Sequence, residues 1–254
     1  MFVNNTSPTA FKCFKALLQA DLLVLVRNKR ALFISMLLPL VILFIFDSGK
    51  RQDKIGGATF IVGLAITLGL LSASILGYGL AVARDREKGV FQRLRVSPAP
   101  TWTIMASRLS AQVLANLIIA IVVLVVGSSL FHLSLGAFEY ISVILVSIIG
   151  GALFLSIGQA LVGLLKSADT INAGGRILLI GLMLFGIFGL SGIAGPTLQN
   201  ISEWTPVGSV ITVLQSAFNQ TAWSGHTSIE LATCFGYIIF CSAIGIKWFQ
   251  WEAR

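Results

Sequence analysis

The sequence predicts an all-α integral membrane protein. We expect six transmembrane helices, an N-terminal amphipathic interfacial helix, a charged cytoplasmic helix between spans two and three, and re-entrant half-helices between spans five and six. Three observations predict this. The 254 residues are 56% hydrophobic and only 11% charged, with mean hydropathy +0.90, whereas soluble domains carry about 25% charged residues. Apolar runs of roughly crossing length recur along the chain, separated by short polar stretches. The 18 Lys and Arg residues are also unevenly placed: with the N-terminus inside, 15 fall in cytoplasmic segments and 3 outside. That asymmetry puts both termini in the cytoplasm. The net charge of +8 sits in short loops rather than on a domain, which argues for membrane lipid and against a nucleic-acid partner.

Residues 1–30 form a cytoplasmic arm. Ser7-Pro8 reads as a helix start. Phe11, Phe14, Leu18, Leu22 and Leu25 then recur at spacings of three and four, with Lys12, Lys15 and Gln19 on another face. This is the pattern of a helix lying in the headgroup layer. Residues 31–254 form the transmembrane domain. Span one, Ala31 to Phe46, is short against the roughly 20 residues a crossing needs, and Pro39 is expected to kink it. Span two, about Ala58 to Ala83, carries a row of small residues at every fourth position: Ala65, Gly69, Ala73, Gly77 and Ala81. The row admits close approach of another helix, either within one subunit or between two. Spans three to six are expected at about Ile104–Phe131, Tyr140–Leu165, Ile177–Ala194 and Leu231–Trp248.

The segment 84–100, RDREKGVFQRLRVSPAP, is a charged island between two apolar runs. Five cations (Arg84, Arg86, Lys88, Arg93 and Arg95) and two acids (Asp85 and Glu87) cannot sit in hydrocarbon. Val90 and Leu94, with Phe91 beside them, give a small apolar face on a helix. Ser97-Pro98 and Pro100 end it. The island reads as a helix built to dock onto something outside the bilayer.

The external segment 195–230 is only moderately apolar and is interrupted by Pro196, Pro206 and Gly208. Val207–Phe218 is too short to cross, so one or two half-helices are expected to dip into the outer leaflet.

The chemistry on offer is sparse. Spans two to six hold almost no ionisable side chain at mid-membrane, which disfavours a proton- or sodium-driven secondary carrier. Gln112, Asn116 and Gln159 are the amides among which an ion site could hide. No phosphate-binding GxxxxGK[ST] run occurs, so the chain carries no nucleotide site of that kind. Cys13, Cys234 and Cys241 show no metal or redox spacing, and no metal site is expected. Gly189-Leu190-Ser191-Gly192, followed by His226, matches the GxSG of rhomboid-type intramembrane serine proteases. This is an alternative that needs His226 to face Ser191 within the membrane.

The island resembles the cytoplasmic motif of the ABC-2 type transporter permease family, the membrane-spanning subunits of type-2 ABC exporters. Glu87, Gly89, Phe91, Leu94, Ser97 and Pro98 match a Glu-x-Gly-Thr-(Leu/Phe)-Glu-x-Leu pattern that runs on to Thr/Ser-Pro. Val90 replaces the family's Thr and Gln92 its acidic residue. Leu190 to Phe218, with Ser191-Gly192 and then Pro206, is similar to the family's stretch after span five. The resemblance implies half of a membrane pore, paired with a second permease subunit and with ABC ATP-binding subunits. Residues Arg84, Asp85, Arg86, Glu87, Gly89, Phe91, Arg93, Leu94 and Pro98 would form the coupling helix to the ATPase. Ser191, Gly192 and Pro206 would belong to the re-entrant outer gate. No catalytic residue and no cofactor is implied on this chain, since ATP and Mg belong to the partner ATPase. The expected location is the plasma (cell inner) membrane. The expected cargo is hydrophobic or amphipathic: a drug, a lipid or a lipid-linked glycan.

Overall fold

A computed structural model describes residues 10–27, 29–46, 56–96, 100–190, 195–219 and 224–248. Among them are ten helices and no strand. These are α1 (Ala10–Arg27), α2 (Lys29–Phe46), α3 (Gly57–Glu87), α4 (Val90–Arg95), α5 (Thr101–Leu130), α6 (Ala137–Leu164), α7 (Ala168–Gly189), α8 (Pro196–Glu203), α9 (Pro206–Phe218) and α10 (Gly225–Lys247). Five are long and apolar enough to cross a bilayer: α3, α5 from Trp102, α6, α7 and α10. The apolar part of α2, Ser35–Phe46, and α9 are shorter. The helix start expected at Ser7-Pro8 and the loop 47–54 lie outside the described residues.

The middle of the bundle is α3. Every residue from Phe60 to Leu71 is buried, because α2, α5, α6, α7 and α9 all pack around it. A helix that is apolar on all sides belongs in such a position. Its one hydroxyl in this stretch, Thr67, donates back to Gly63 O at 2.7 Å, so no polar group is left without a partner there. The small-residue row splits in two. Ala65, Gly69 and Ala73 are buried within this chain, with Gly69 against Pro39 of α2 and Ile119 of α5. Gly77 and Ala81 remain exposed.

Between Ala73 and Tyr78 the helix widens into a π-helical segment, which shifts the hydrogen-bond ladder to the fifth residue. Here α6 comes closest. A Cβ on Gly158 would lie 2.6 Å from Ser74 O, so only glycine allows that contact. On the far side of α6, α10 packs along its length.

The arm helix α1 has no buried residue and lies along α5. Of its expected stripe, Phe14, Leu18, Leu22 and Leu25 are half-buried while Phe11 is exposed; Lys12, Lys15 and Gln19 are exposed. Two helices begin earlier than expected. α7 starts at Ala168 because Ser167 and Thr170 form a capping box, and this draws Asp169 and Arg176 into the helix. α10 starts at Gly225 through the same device, Ser224 with Thr227. Two separate helices, α8 and α9, occupy the stretch expected to hold half-helices. Each opens with proline in its first turn.

Candidate functional site

The charged island is not a free loop. Residues Arg84 to Glu87 continue α3, Lys88 and Gly89 form a turn, and Val90–Arg95 is α4. Gly89 permits the turn because its φ is +68°, the left-handed region that favours glycine.

Its charges divide into an inner and an outer set. Arg86 is only 2% exposed. Its guanidinium donates to Val162 O at 3.1 Å, Leu165 O at 2.8 Å and Lys166 O at 2.7 Å. These carbonyls lie at and just past the C-terminus of α6, where a helix leaves acceptors unpaired and favours a cation. Glu87 Oε1 accepts from Ala168 N at 2.7 Å, the first residue of α7, where an anion is favoured. Consecutive side chains of α3 therefore hold both ends of the α6–α7 turn.

Asp85 pairs with Arg108 of α5, Oδ2 to Nη1 at 2.5 Å. Arg108 in turn stacks 4.7 Å from the centroid of the buried Phe91 ring. Phe91 and Leu94 pack into an apolar cluster with Tyr78, Val82, Ile104 and Val162. Arg84, Lys88, Gln92, Arg93 and Val96 form the outward set, all exposed. Ser97 and Pro98 lie outside the described residues.

Above the island, a polar seam surrounds the π-helical segment. Gln112 of α5 donates to the Ala73 carbonyl at 3.2 Å and to Asn116 Oδ1 at 3.1 Å. Asn116 donates to Ser74 Oγ at 2.9 Å. Tyr78 donates to Gln159 Oε1 of α6 at 2.5 Å. The three amides singled out in the sequence thus converge on one place. There Gln112 and Asn116 bond each other and the π-helical segment, and Gln159 accepts from Tyr78 at its end, as buried polar groups need partners. Nothing in the sequence marks the π-helical segment itself.

Beside the seam is a cavity of about 410 Å³ bounded by α1, α2, α3, α5 and the first residue of α4. At its edge Asp21 of α1 accepts from Ser107 Oγ at 2.7 Å. Burial pushes the Asp21 carboxyl above the usual aspartate value, against the lowering pull of Ser107 and Arg108.

The opposite end of the bundle carries a second polar group. His226 Nε2 stands 3.5 Å from Glu203 Oε2 and 4.0 Å from Glu230 Oε1. Glu230 is fully buried, and neither of its oxygens has a hydrogen-bond partner. Pro206 opens α9 behind the Thr205 cap. Ser191 and Gly192 lie outside the described residues, so the environment given for His226 is that of two glutamates. Among the described residues, no group of three His, Cys, Asp or Glu is placed to hold a metal ion.

No curated protein matches this chain in sequence. The sequence profile of ABC-2 type transporters does, over residues 12–219, a range that takes in the arm, the island, the seam and both short helices. A bundle of apolar helices with its charged segment tied into the bundle end, matched by that profile over most of its length, is a transporter's membrane subunit: the chain belongs to the ABC-2 type transporter family, as a permease subunit of an ABC transporter.

Proposed function

We propose that this chain is half of the conduit of an ATP-driven exporter in the plasma (cell inner) membrane, with its termini in the cytoplasm. In this reading α2, α3, α5, α6, α7 and α10 are the six crossings, and α2 reaches full length through its interfacial ends. α8 and α9 re-enter the outer leaflet, and α1 rests on the inner surface. A second permease subunit, identical or paralogous, completes the pore. A separate ABC ATP-binding subunit, holding ATP and Mg, drives it through α4 and the end of α3. The cargo is a hydrophobic or amphipathic compound such as a drug, a lipid or a lipid-linked glycan.

One observation carries the coupling role. Two side chains of the island, the buried Arg86 and the exposed Glu87, grip both ends of the α6–α7 turn, while Arg84, Lys88 and Arg93 are exposed. A push on α4 would therefore move α3, α6 and α7 together rather than bend a loop. Reversing the charge of an outward residue, Arg93→Glu together with Lys88→Glu, should uncouple ATP hydrolysis from transport. Membrane insertion and thermal midpoint should stay as in wild type, because neither side chain supports the fold. Full transport by the double variant in proteoliposomes with its ATPase would remove the assignment. Glu87 is the poorer choice for this test, since its reversal would also release the start of α7.

A further inference from the structure

We propose that the cavity beneath the arm is a binding site for a small organic cation with an apolar body. Its volume, about 410 Å³, falls within the range of small-molecule sites, roughly 300–1,000 Å³. Its walls are largely apolar, with Leu25 from α1, Val82 from α3 and Ala111, Ala115 and Ile119 from α5. Gly77 leaves open space on the α3 side, with nothing within 4 Å of where a Cβ would stand.

The ionisable lining consists of Asp21, Asp85, Tyr78 and Arg108. Arg108 is already engaged, bonded to Asp85 at 2.5 Å and stacked on Phe91. Among the described residues, Asp21 is left with one hydroxyl donor, Ser107 at 2.7 Å, and a more distant pull from Arg108. It is a half-buried carboxylate with no ion pair of its own among the described residues, which is a costly arrangement. A cationic headgroup would supply the missing partner while its apolar part filled the cavity. An anion would meet two carboxylates and a single arginine that is already paired.

The occupant would touch Val90 of α4 and Asp85 of the island. An effect on the ATPase therefore rests on the coupling reading above, whereas binding itself does not. The test uses the whole chain in phosphatidylcholine nanodiscs, titrated by calorimetry with octyltrimethylammonium and with octyl sulfate below their micelle-forming concentrations, with empty nanodiscs subtracted. We expect saturable binding of the ammonium at one site per chain and none of the sulfate. Asp21→Asn should weaken the ammonium by roughly tenfold or more, the effect of losing a contact to a charged group. Gly77→Leu, which fills the cavity where no atom stands in the way, should abolish it.

Equal binding of the two amphiphiles, partition without saturation, or unchanged affinity in Gly77→Leu would each overturn the proposal. Should Asp21→Asn fail to fold, the comparison of the two amphiphiles on wild-type protein and the Gly77→Leu arm still decide it. A separate measurement of the partner's ATP turnover with octyltrimethylammonium distinguishes the two ideas. Binding without any change in turnover would count against the coupling reading and leave the site standing.

Discussion

Removing the Arg86 guanidinium tests whether the island is built into the bundle or merely attached to it. In Arg86→Met the side chain keeps much of its volume but loses all three donors. The carbonyls of buried Val162 and of Leu165 and Lys166 then lose that donor. Hydrogen bonds to a charged group contribute about 1.5–3 kcal/mol each. Three on one side chain are not independent, so the loss is better compared with breaking one partner out of a buried charged pair, about 3–5 kcal/mol. For a chain of this size, about 2–4 °C of thermal midpoint accompany each kcal/mol, which gives a fall of roughly 6–20 °C.

The assay is thermal unfolding of detergent-solubilised protein followed by size-exclusion, with the exposed neighbour Arg84→Met as control. Arg86→Lys should recover only part of the loss, because an ammonium is a point charge and cannot span three carbonyls as the planar fork does. A midpoint for Arg86→Met within about 2 °C of wild type, roughly the shift from 1 kcal/mol, would refute the argument that this residue ties α3 to α6.

Three further outcomes follow from the same contacts. Gly158→Ala should cost about 1–3 kcal/mol, because its Cβ would lie 2.6 Å from Ser74 O; Gly181→Ala, with open space around it, should be neutral or gain about 0.5–1 kcal/mol of helix propensity, and the two thermal midpoints check both. Glu230→Gln removes a charge from a buried site that gives it no hydrogen bond and should raise the midpoint at neutral pH by about 1 kcal/mol of stability; a loss of that size would show that the pairing with His226 matters more than burial. The Asp21 carboxyl titrates above its ordinary value because burial disfavours its charge. The folded state therefore holds that proton more tightly than the unfolded chain does, and this contribution is fully present below the ordinary value near 3.8 and lost as pH rises through the raised one. Protease nicking of the α1–α2 connection should accordingly increase across that interval, and Asp21→Asn should flatten the profile.

The gross architecture was legible because apolar length is a one-dimensional property. α5 and α6 were placed within about three residues at each end, the usual scatter of helix boundaries. α7 and α10 were placed late at their starts for one shared reason. Ser167 with Thr170 and Ser224 with Thr227 are polar, so a search for apolar runs discards them, yet these residues nucleate the helices. The small-residue row on α3 was read correctly as a close-packing face, but its split was not visible. Gly69 is covered by Pro39 and Ile119, whereas Gly77 opens onto the cavity, and which neighbour lies over which turn is decided by tertiary packing. The π-helical segment had no signature, since the groups that meet it, Gly158 and Gln112, lie far off in the sequence on other helices.

The island shows most clearly what a pattern can and cannot carry. Its residues were all found, but as one undivided charged surface. Their division follows from a single fact, that α3 continues unbroken to Glu87. On a continuing helix Arg84 and Lys88 are one turn apart and share a face, while Arg86 lies on the far side of the axis. If that far side meets α6, Arg86 must be buried, and a buried guanidinium must find acceptors. The end of α6 is where unpaired acceptors are available. The matching anion, Glu87, is exposed and is placed instead by the start of α7, whose first backbone N–H it accepts. What distinguishes anchor from docking surface here is therefore position about the α3 axis and the neighbours met there rather than residue type, so charge reversals chosen from sequence alone would mix the two roles.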